Sequence, residues 1–129
     1  ILAKVIYFYQ SGVKMFKVEN NLQAGFKMSK WADFLISAIR YENELFKNSI
    51  AYLKVHPDLG TEIGAGYTWT KEEVINAMYD GKTFYTIIKE KTGEWKKGSI
   101  VALITRNGKS IITDSNSTDF DYFVNLREL

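Results

Sequence analysis

The first part of the chain alternates apolar and polar positions, a two-residue period that is typical of strands. Residues 2–9 and 13–18 are rich in β-branched and aromatic side chains, and Ser11 and Gly12 lie between them. Two such runs joined by a short glycine-containing turn predict an antiparallel β-hairpin at this end of the chain.

Between Ser29 and Pro57 the apolar residues recur every three or four positions, which predicts an amphipathic helix. The residues at this spacing are Trp31, Phe34, Leu35, Ala38, Ile39, Leu45, Phe46, Ile50 and Leu53. A helix over residues 30–55 would be roughly 40 Å long, whereas a compact domain of this size is about 28–30 Å across. We therefore expect the helix either to break near residues 41–43 or to pack on a second subunit, and we favour a homodimer or higher homo-oligomer.

The following segment predicts a second, shorter helix over residues 71–79. Thr70 precedes it and Glu73 lies three positions further on, which is the spacing of a capping box. Gly81 is placed to end the helix. A strand over residues 83–89 follows, because that run is again rich in β-branched and aromatic residues.

Asn107 and Gly108 predict a tight hairpin between residues 99–106 and 109–114, since this dipeptide is a strong signal for a two-residue turn. The elements together predict a single α+β domain over residues 1–129. We expect an antiparallel sheet with one long helix and one short helix.

Composition narrows the classes of function. The 17 basic and 15 acidic residues are interspersed and give a net charge of +2, which argues against duplex nucleic-acid binding because such proteins concentrate basic residues in one stripe. The chain has no cysteine, which excludes disulfides, thiolate chemistry and cysteine-ligated zinc. The apolar run at its start is too short to span a bilayer. We expect no membrane association and a cytoplasmic location, in the host cell if the protein is phage-encoded.

The residues that usually perform catalysis are scarce. His56 is the sole histidine, so we expect no Ser-His-Asp or Cys-His set, and we interpret it as a structural group at the end of the long helix. Glu72, Asp119 and Asp121 leave open a hydrolase that uses carboxylates alone. We expect a protein that is not an enzyme and that holds neither a metal ion nor a cofactor.

Aromatic residues make up 15% of the chain, and its 3 arginines stand among 17 basic residues. Rings can stack on a base, and arginine binds phosphate in a bidentate manner where lysine acts as a point charge. Strand alternation puts Phe84 and Tyr85 on opposite faces, so at most one of them faces a given pocket. The predicted ligand-binding residues are Trp69, Phe84, Arg40, Arg106, Arg127, Asn107 and Asn116.

The C-terminal half is similar to a small bacterial and phage domain family of unknown function. That family has a W-T-x-E-E helix, then G-x-x-F-Y, a hairpin N-G-x-x-Y-I-x-T and a closing D-N-L-x-N-L-P. The matching positions here are Trp69, Thr70, Glu72, Glu73, Gly81, Phe84, Tyr85, Asn107, Gly108, Ile111, Thr113, Asn125 and Leu126. Tyr122, Phe123 and Arg127 depart from the closing pattern, and the resemblance implies a fold without an activity.

In size, composition and predicted layout, the whole chain resembles the phage anti-Thoeris sponge proteins of the Tad type. Members of that family bind cyclic ADP-ribose signals from TIR-domain defence enzymes without degrading them, in pockets shared between protomers. The resemblance implies a homo-oligomer that sequesters a small nucleotide-like ligand, and no pocket residue is carried over from it. The alternative that the residues leave open is an accessory domain that binds protein or single-stranded nucleic acid through an aromatic, lysine-flanked sheet face.

Overall fold

The computed structural model describes residues 3–10, 13–20, 29–114 and 120–129, and most of that chain is β-strand. In chain order the elements are β1 (Ala3–Gln10), β2 (Val13–Asn20), β3 (Phe34–Tyr41), β4 (Ile50–Pro57), β5 (Tyr67–Thr70), α1 (Lys71–Tyr79), β6 (Phe84–Lys89), β7 (Trp95–Ile100), β8 (Ala102–Arg106), β9 (Lys109–Thr113) and β10 (Arg127–Glu128). The largest sheet has the order β5-β4-β3-β6-β7, with β10 also paired to β3. The pairs β1–β2 and β8–β9 are separate antiparallel hairpins.

The predicted fold class is wrong, because the long helix over residues 30–55 does not exist. Its two halves are β3 and β4, which pair antiparallel across a turn in which Asn43 accepts hydrogen bonds from two backbone N–H groups. β3 is buried on both faces, so its apolar residues form a continuous run that periodicity cannot distinguish from a buried helix. The expected homo-oligomer was based on that helix, and it stays a prediction without this support.

The sequence predicted an antiparallel sheet, and this prediction is also wrong, because the sheet is mixed. β3 pairs parallel to β6 and to β10, while its other edge pairs antiparallel to β4. The chain therefore crosses over one face of the sheet between β5 and β6, and α1 forms part of that crossover. A predominantly β fold with a mixed sheet and one short helix replaces the predicted α+β layout.

The short helix and the last hairpin are confirmed. α1 covers residues 71–79, Thr70 accepts a hydrogen bond from the Glu73 N–H, and the Glu73 carboxylate accepts one from the Thr70 N–H, which completes the capping box. Asn107 and Gly108 have φ angles of 51° and 76°, the left-handed pair that a tight two-residue hairpin turn requires. Both predictions depended on local chemistry alone.

The two faces of the main sheet differ in what covers them. On one face, the side chains of β3, β4 and β6 pack against α1, the β8–β9 hairpin and the C-terminal segment. The fully buried residues of this core include Ile36, Leu53, Val74, Phe84 and Ile112. On the opposite face lies a smaller cluster around Leu35 and Ile87, and the rings of Tyr85 and Trp95 pack partly buried against it. None of the described residues of α1 belongs to this second cluster.

Candidate ligand-binding face

The two rings that the sequence predicted to stack on a ligand lie in the core. Phe84 has no exposed surface, and its ring stacks 5.2 Å from Phe34. Trp69 is partly buried and meets the same Phe34 ring edge-on at 4.9 Å. These rings stabilise the face beneath α1, and Phe84 leaves no ring surface for a ligand, which corrects its predicted role.

The predicted polar residues divide between two places. Arg40 on β3 and Arg127 on β10 lie on adjacent strands, since Arg127 pairs with Ala38, and the Arg40 guanidinium donates a hydrogen bond to the Leu129 carbonyl oxygen at 3.1 Å. Arg106 and Asn107 lie exposed at the turn of the separate β8–β9 hairpin. Asn116 lies outside the described residues. The structure thus brings two arginines together but not with the predicted rings.

Charge is strongly sorted in the main sheet. Strands β3 to β7 contain no aspartate or glutamate, although the whole chain has almost as many acidic as basic residues. Their basic residues are Arg40, Lys54, Lys89, Lys96 and Lys97. Strands β3 to β7 thus carry only basic charge, whereas β10, which pairs with β3, adds Glu128 beside Arg127.

Most of these cations project from the face opposite α1. Lys54 lies between the buried Leu53 and Val55 of the core, so alternation directs it to the other face, and Tyr52 and Arg40 are paired on that same face. We call this surface the cationic face and define it by Arg40, Tyr52, Lys54, Tyr85, Trp95 and Lys97.

Aromatic rings lie among the cations of this face. The Lys97 ammonium lies 4.7 Å from the centre of the Tyr85 ring, and the Lys89 ammonium lies 5.5 Å from the Trp95 ring. Tyr52 is 44% exposed. A cation–π contact is individually weak, so a lysine held over a ring can move from the ring to a phosphate group. The ring is then available for a nucleobase to stack on it.

A recess of about 280 Å³ opens at the uncovered end of the cationic face, lined by Arg40, Tyr52, Thr68 and Leu129. It combines a ring, a guanidinium and a hydroxyl group, which are the groups that hold a base, a phosphate and a sugar. Sequence reasoning identified Arg40 but missed Tyr52, since the predicted helix hid the alternation that places these two side chains opposite each other on neighbouring strands.

A second, larger cleft of about 710 Å³ lies beside α1 and has mixed charge. Its lining includes Glu42 and Glu72 as well as Lys71, whose ammonium pairs with Asp121 at 2.7 Å. Asp121 is 1% exposed and accepts hydrogen bonds from the N–H groups of Ile50 and Ile112. Both of its oxygens are thus used to anchor the C-terminal segment, while Asp119, the other predicted acid, lies outside the described residues.

The sequence predicted His56 at the end of a helix, but this residue lies within β4. Its Nδ1 lies 2.9 Å from the Gly64 carbonyl oxygen and its Nε2 lies 2.7 Å from the Ser37 hydroxyl. Burial is the main cause that lowers the His56 pKa below its usual 6.5, and the nearby Lys54 charge lowers it further, although the Gly64 hydrogen bond opposes both.

This lowered pKa predicts acid-sensitive stability. Below about pH 6.5, His56 is protonated in the unfolded chain but stays neutral in the folded protein until the pH reaches its lower folded pKa. The free energy of unfolding therefore falls as the pH decreases through this range. Urea unfolding of the wild type and of His56→Gln across this range measures the effect. We expect the difference between the two proteins to be constant above neutrality and to shrink in acid, and parallel curves would contradict the assignment.

Within the described residues no cluster of acidic and histidine side chains is suited to a metal ion. No helix in that part of the chain has the length and apolarity needed to cross a membrane. No protein family, curated protein or solved structure matches this chain. The resemblance to the anti-Thoeris sponge proteins, which included an overhanging helix, therefore stays a prediction.

Proposed function

We propose that the protein is a binding module that holds single-stranded nucleic acid on its cationic face. The observation that carries this proposal is the charge sorting along β3 to β7, strands without any acidic residue that present cations and rings on the face opposite α1. Single strands are typically bound by a positively charged surface with aromatic side chains on which successive bases stack.

The dimensions of the face suit a short stretch of strand. Five strands at a spacing of about 4.8 Å give a surface roughly 19 Å wide, which is enough for a few nucleotides. Tyr52 and Arg40 would hold one nucleotide in the 280 Å³ recess, and the Lys97–Tyr85 and Lys89–Trp95 pairs would hold others further along. A cytoplasmic location is part of the same proposal, because a chain without cysteine fits a reducing compartment.

A second candidate is capture of one small nucleotide-like signal of the cyclic ADP-ribose type, as an anti-defence sponge would perform. The observation that favours it is the size of the Arg40–Tyr52 recess, which matches a single base and phosphate rather than a long strand. The two candidates share these residues but differ in how affinity depends on ligand length. A protein partner is a third outcome, in which neither class of nucleotide ligand binds.

Fluorescence anisotropy with labelled oligothymidylates of increasing length, at several salt concentrations, tests the proposal. We expect affinity to rise with length and to fall steeply with salt, by a slope of about 0.7 for each phosphate contacted. Cyclic ADP-ribose isomers and mononucleotides serve as competitors. Length-independent binding of a small ligand would favour the second candidate, and no binding of either class would overturn both.

Substitutions on the face are expected to weaken binding without unfolding the protein. Tyr52→Ala should cost about 1–3 kcal/mol of binding free energy, the usual value for one stacked base. Arg40→Ala combined with Lys54→Ala should reduce the salt slope, because phosphate contacts are removed. Tyr79→Ala on α1 is the matched control, since that tyrosine is also exposed but lies away from the face. Equal effects of Tyr52→Ala and Tyr79→Ala would count against this surface.

A further inference from the structure

Ser37 and His56 are arranged as a hydroxyl group and a base. A carbonyl oxygen only accepts hydrogen bonds, so the His56 Nδ1 that contacts the Gly64 carbonyl oxygen at 2.9 Å must carry the ring proton. The opposite nitrogen, Nε2, is then the acceptor, and the Ser37 hydroxyl donates to it at 2.7 Å. The imidazole is thus held in the tautomer that can remove the serine proton, by a third group that orients it.

Three features of the fold hold the Ser37–His56–Gly64 arrangement in place. Ser37 lies at a bulge of β3, where the pairing register with β4 shifts. The Gly64 N–H donates to the Pro57 carbonyl oxygen at 2.9 Å, which holds the orienting loop against β4. A side chain at Gly66 would place its Cβ 2.6 Å from His56 Cε1, so glycine is what allows that loop to lie directly over the ring.

Ser37 also lines a recess of about 220 Å³ that contains positive charge. The other residues around it include Lys89, Asn125 and Arg127, and none of the described residues that line it is acidic. A recess of this size admits a small acyl group, and its cations attract a carboxylate or a phosphate. Ser37 is 5% exposed, and it lines this recess while His56 does not.

We propose that Ser37 is a nucleophile, activated by His56, that accepts the acyl group of a small ester carrying a negative charge. A hydrogen bond that merely joined two strands would need only the Ser37–His56 contact. The tautomer that the Gly64 contact fixes supplies an oriented base for the Ser37 hydroxyl, and the cations of the recess supply a counter-charge for an anionic ester. This activity goes beyond nucleic-acid binding and does not depend on it.

The chemistry balances without any further reagent. Ser37 Oγ bonds to the ester carbonyl carbon while its proton passes to His56 Nε2. The tetrahedral intermediate then collapses, the bond to the alcohol oxygen breaks, and the imidazolium returns its proton to that leaving oxygen. Water attacks the acyl-serine in the same way, giving up one proton to Nε2, and the released carboxylic acid and free Ser37 complete the cycle.

The test compares p-nitrophenyl hydrogen succinate, which is anionic, with neutral p-nitrophenyl acetate, using the full chain. We expect p-nitrophenolate release from the anionic ester and an acyl adduct that peptide mapping places on Ser37. Ser37→Ala should abolish the adduct, and His56→Gln should slow its formation by about 100-fold or more. Ser49→Ala, which changes a serine outside this recess, is the control. Lys89→Ala with Arg127→Ala should raise the KM for the anionic ester alone.

The pH dependence separates a nucleophile from a structural serine. The acylation rate of the wild type should fall in acid as His56 takes a proton, whereas adventitious acylation of surface lysines should rise steadily with pH. Peptide mapping of the acyl adduct on the wild-type protein tests the proposal even if a variant fails to fold. The absence of an adduct on Ser37, or an acylation rate of Ser37 that His56→Gln leaves unchanged, would overturn the proposal.

Discussion

Replacing Asp121 with alanine is expected to lower the free energy of unfolding by about 3–5 kcal/mol. The carboxylate accepts the N–H of Ile112 at 3.0 Å and that of Ile50 at 2.9 Å, and it pairs with Lys71 at 2.7 Å. Alanine would leave two buried backbone donors without an acceptor and a lysine without its counter-ion. Urea denaturation, monitored by circular dichroism, measures this change in the free energy of unfolding, and the m-value is expected to stay constant.

Two further substitutions separate the parts of this network. Asp121→Asn keeps one acceptor oxygen and should cost less than alanine. Lys71→Met removes the counter-ion but leaves both backbone hydrogen bonds, and because Lys71 is partly exposed, this change should also cost less than the loss of Asp121. If Lys71→Met proved as costly as Asp121→Ala, the ion pair rather than the backbone contacts would dominate.

Local sequence signals predicted the parts of the fold whose cause is local. The capping box of Thr70 and Glu73 fixes the start of α1, because both partners lie within one turn of each other. The Asn107-Gly108 turn is set by two residues that tolerate positive φ. In each case the stabilising contact joins neighbours in the sequence, so the prediction needed no knowledge of tertiary structure.

The β3–β4 hairpin shows where such reasoning fails. Residues 35–39 of β3 are buried, in the core cluster that contains Val74 and Ile112 on one face and in the cluster around Leu35 and Ile87 on the other, so residues from distant parts of the chain cover them. Burial on both sides removes the two-residue alternation that identifies a strand. The bulge at Ser37 shifts the apolar positions further, so that they imitate a helical period.

The candidate site could be predicted only in part, for the same reason. Arg40 and Arg127 stood out because arginine is rare in this chain, and they do lie on neighbouring strands. Tyr52 and Lys54 did not, since their significance depends on the pairing of β4 with β3. The absence of acidic residues from β3 to β7 was readable in the sequence, but it became a signal only once those segments were known to share one sheet.

The adjacent rings of β6 offer the sharpest separation between stability and binding. Phe84 is fully buried beneath α1, so Phe84→Ala should lower the free energy of unfolding by about 3–5 kcal/mol. Tyr85 lies on the opposite face under Lys97, so Tyr85→Ala should cost less stability but weaken binding of a single strand by about 1–3 kcal/mol. Phe84→Leu, which keeps most of the volume, is the control for the core.

Both variants are to be measured by urea denaturation and by anisotropy at a temperature where each remains folded. Phe84→Ala should then bind oligothymidylate as the wild type does, because its ring never meets solvent. Tyr85→Ala should show the reverse pattern, with a smaller loss of stability than Phe84→Ala, because Tyr85 is only partly buried, and with reduced affinity. If the two substitutions exchanged these effects, the ligand would lie beneath α1 rather than on the cationic face, and the assignment of the binding surface would be wrong.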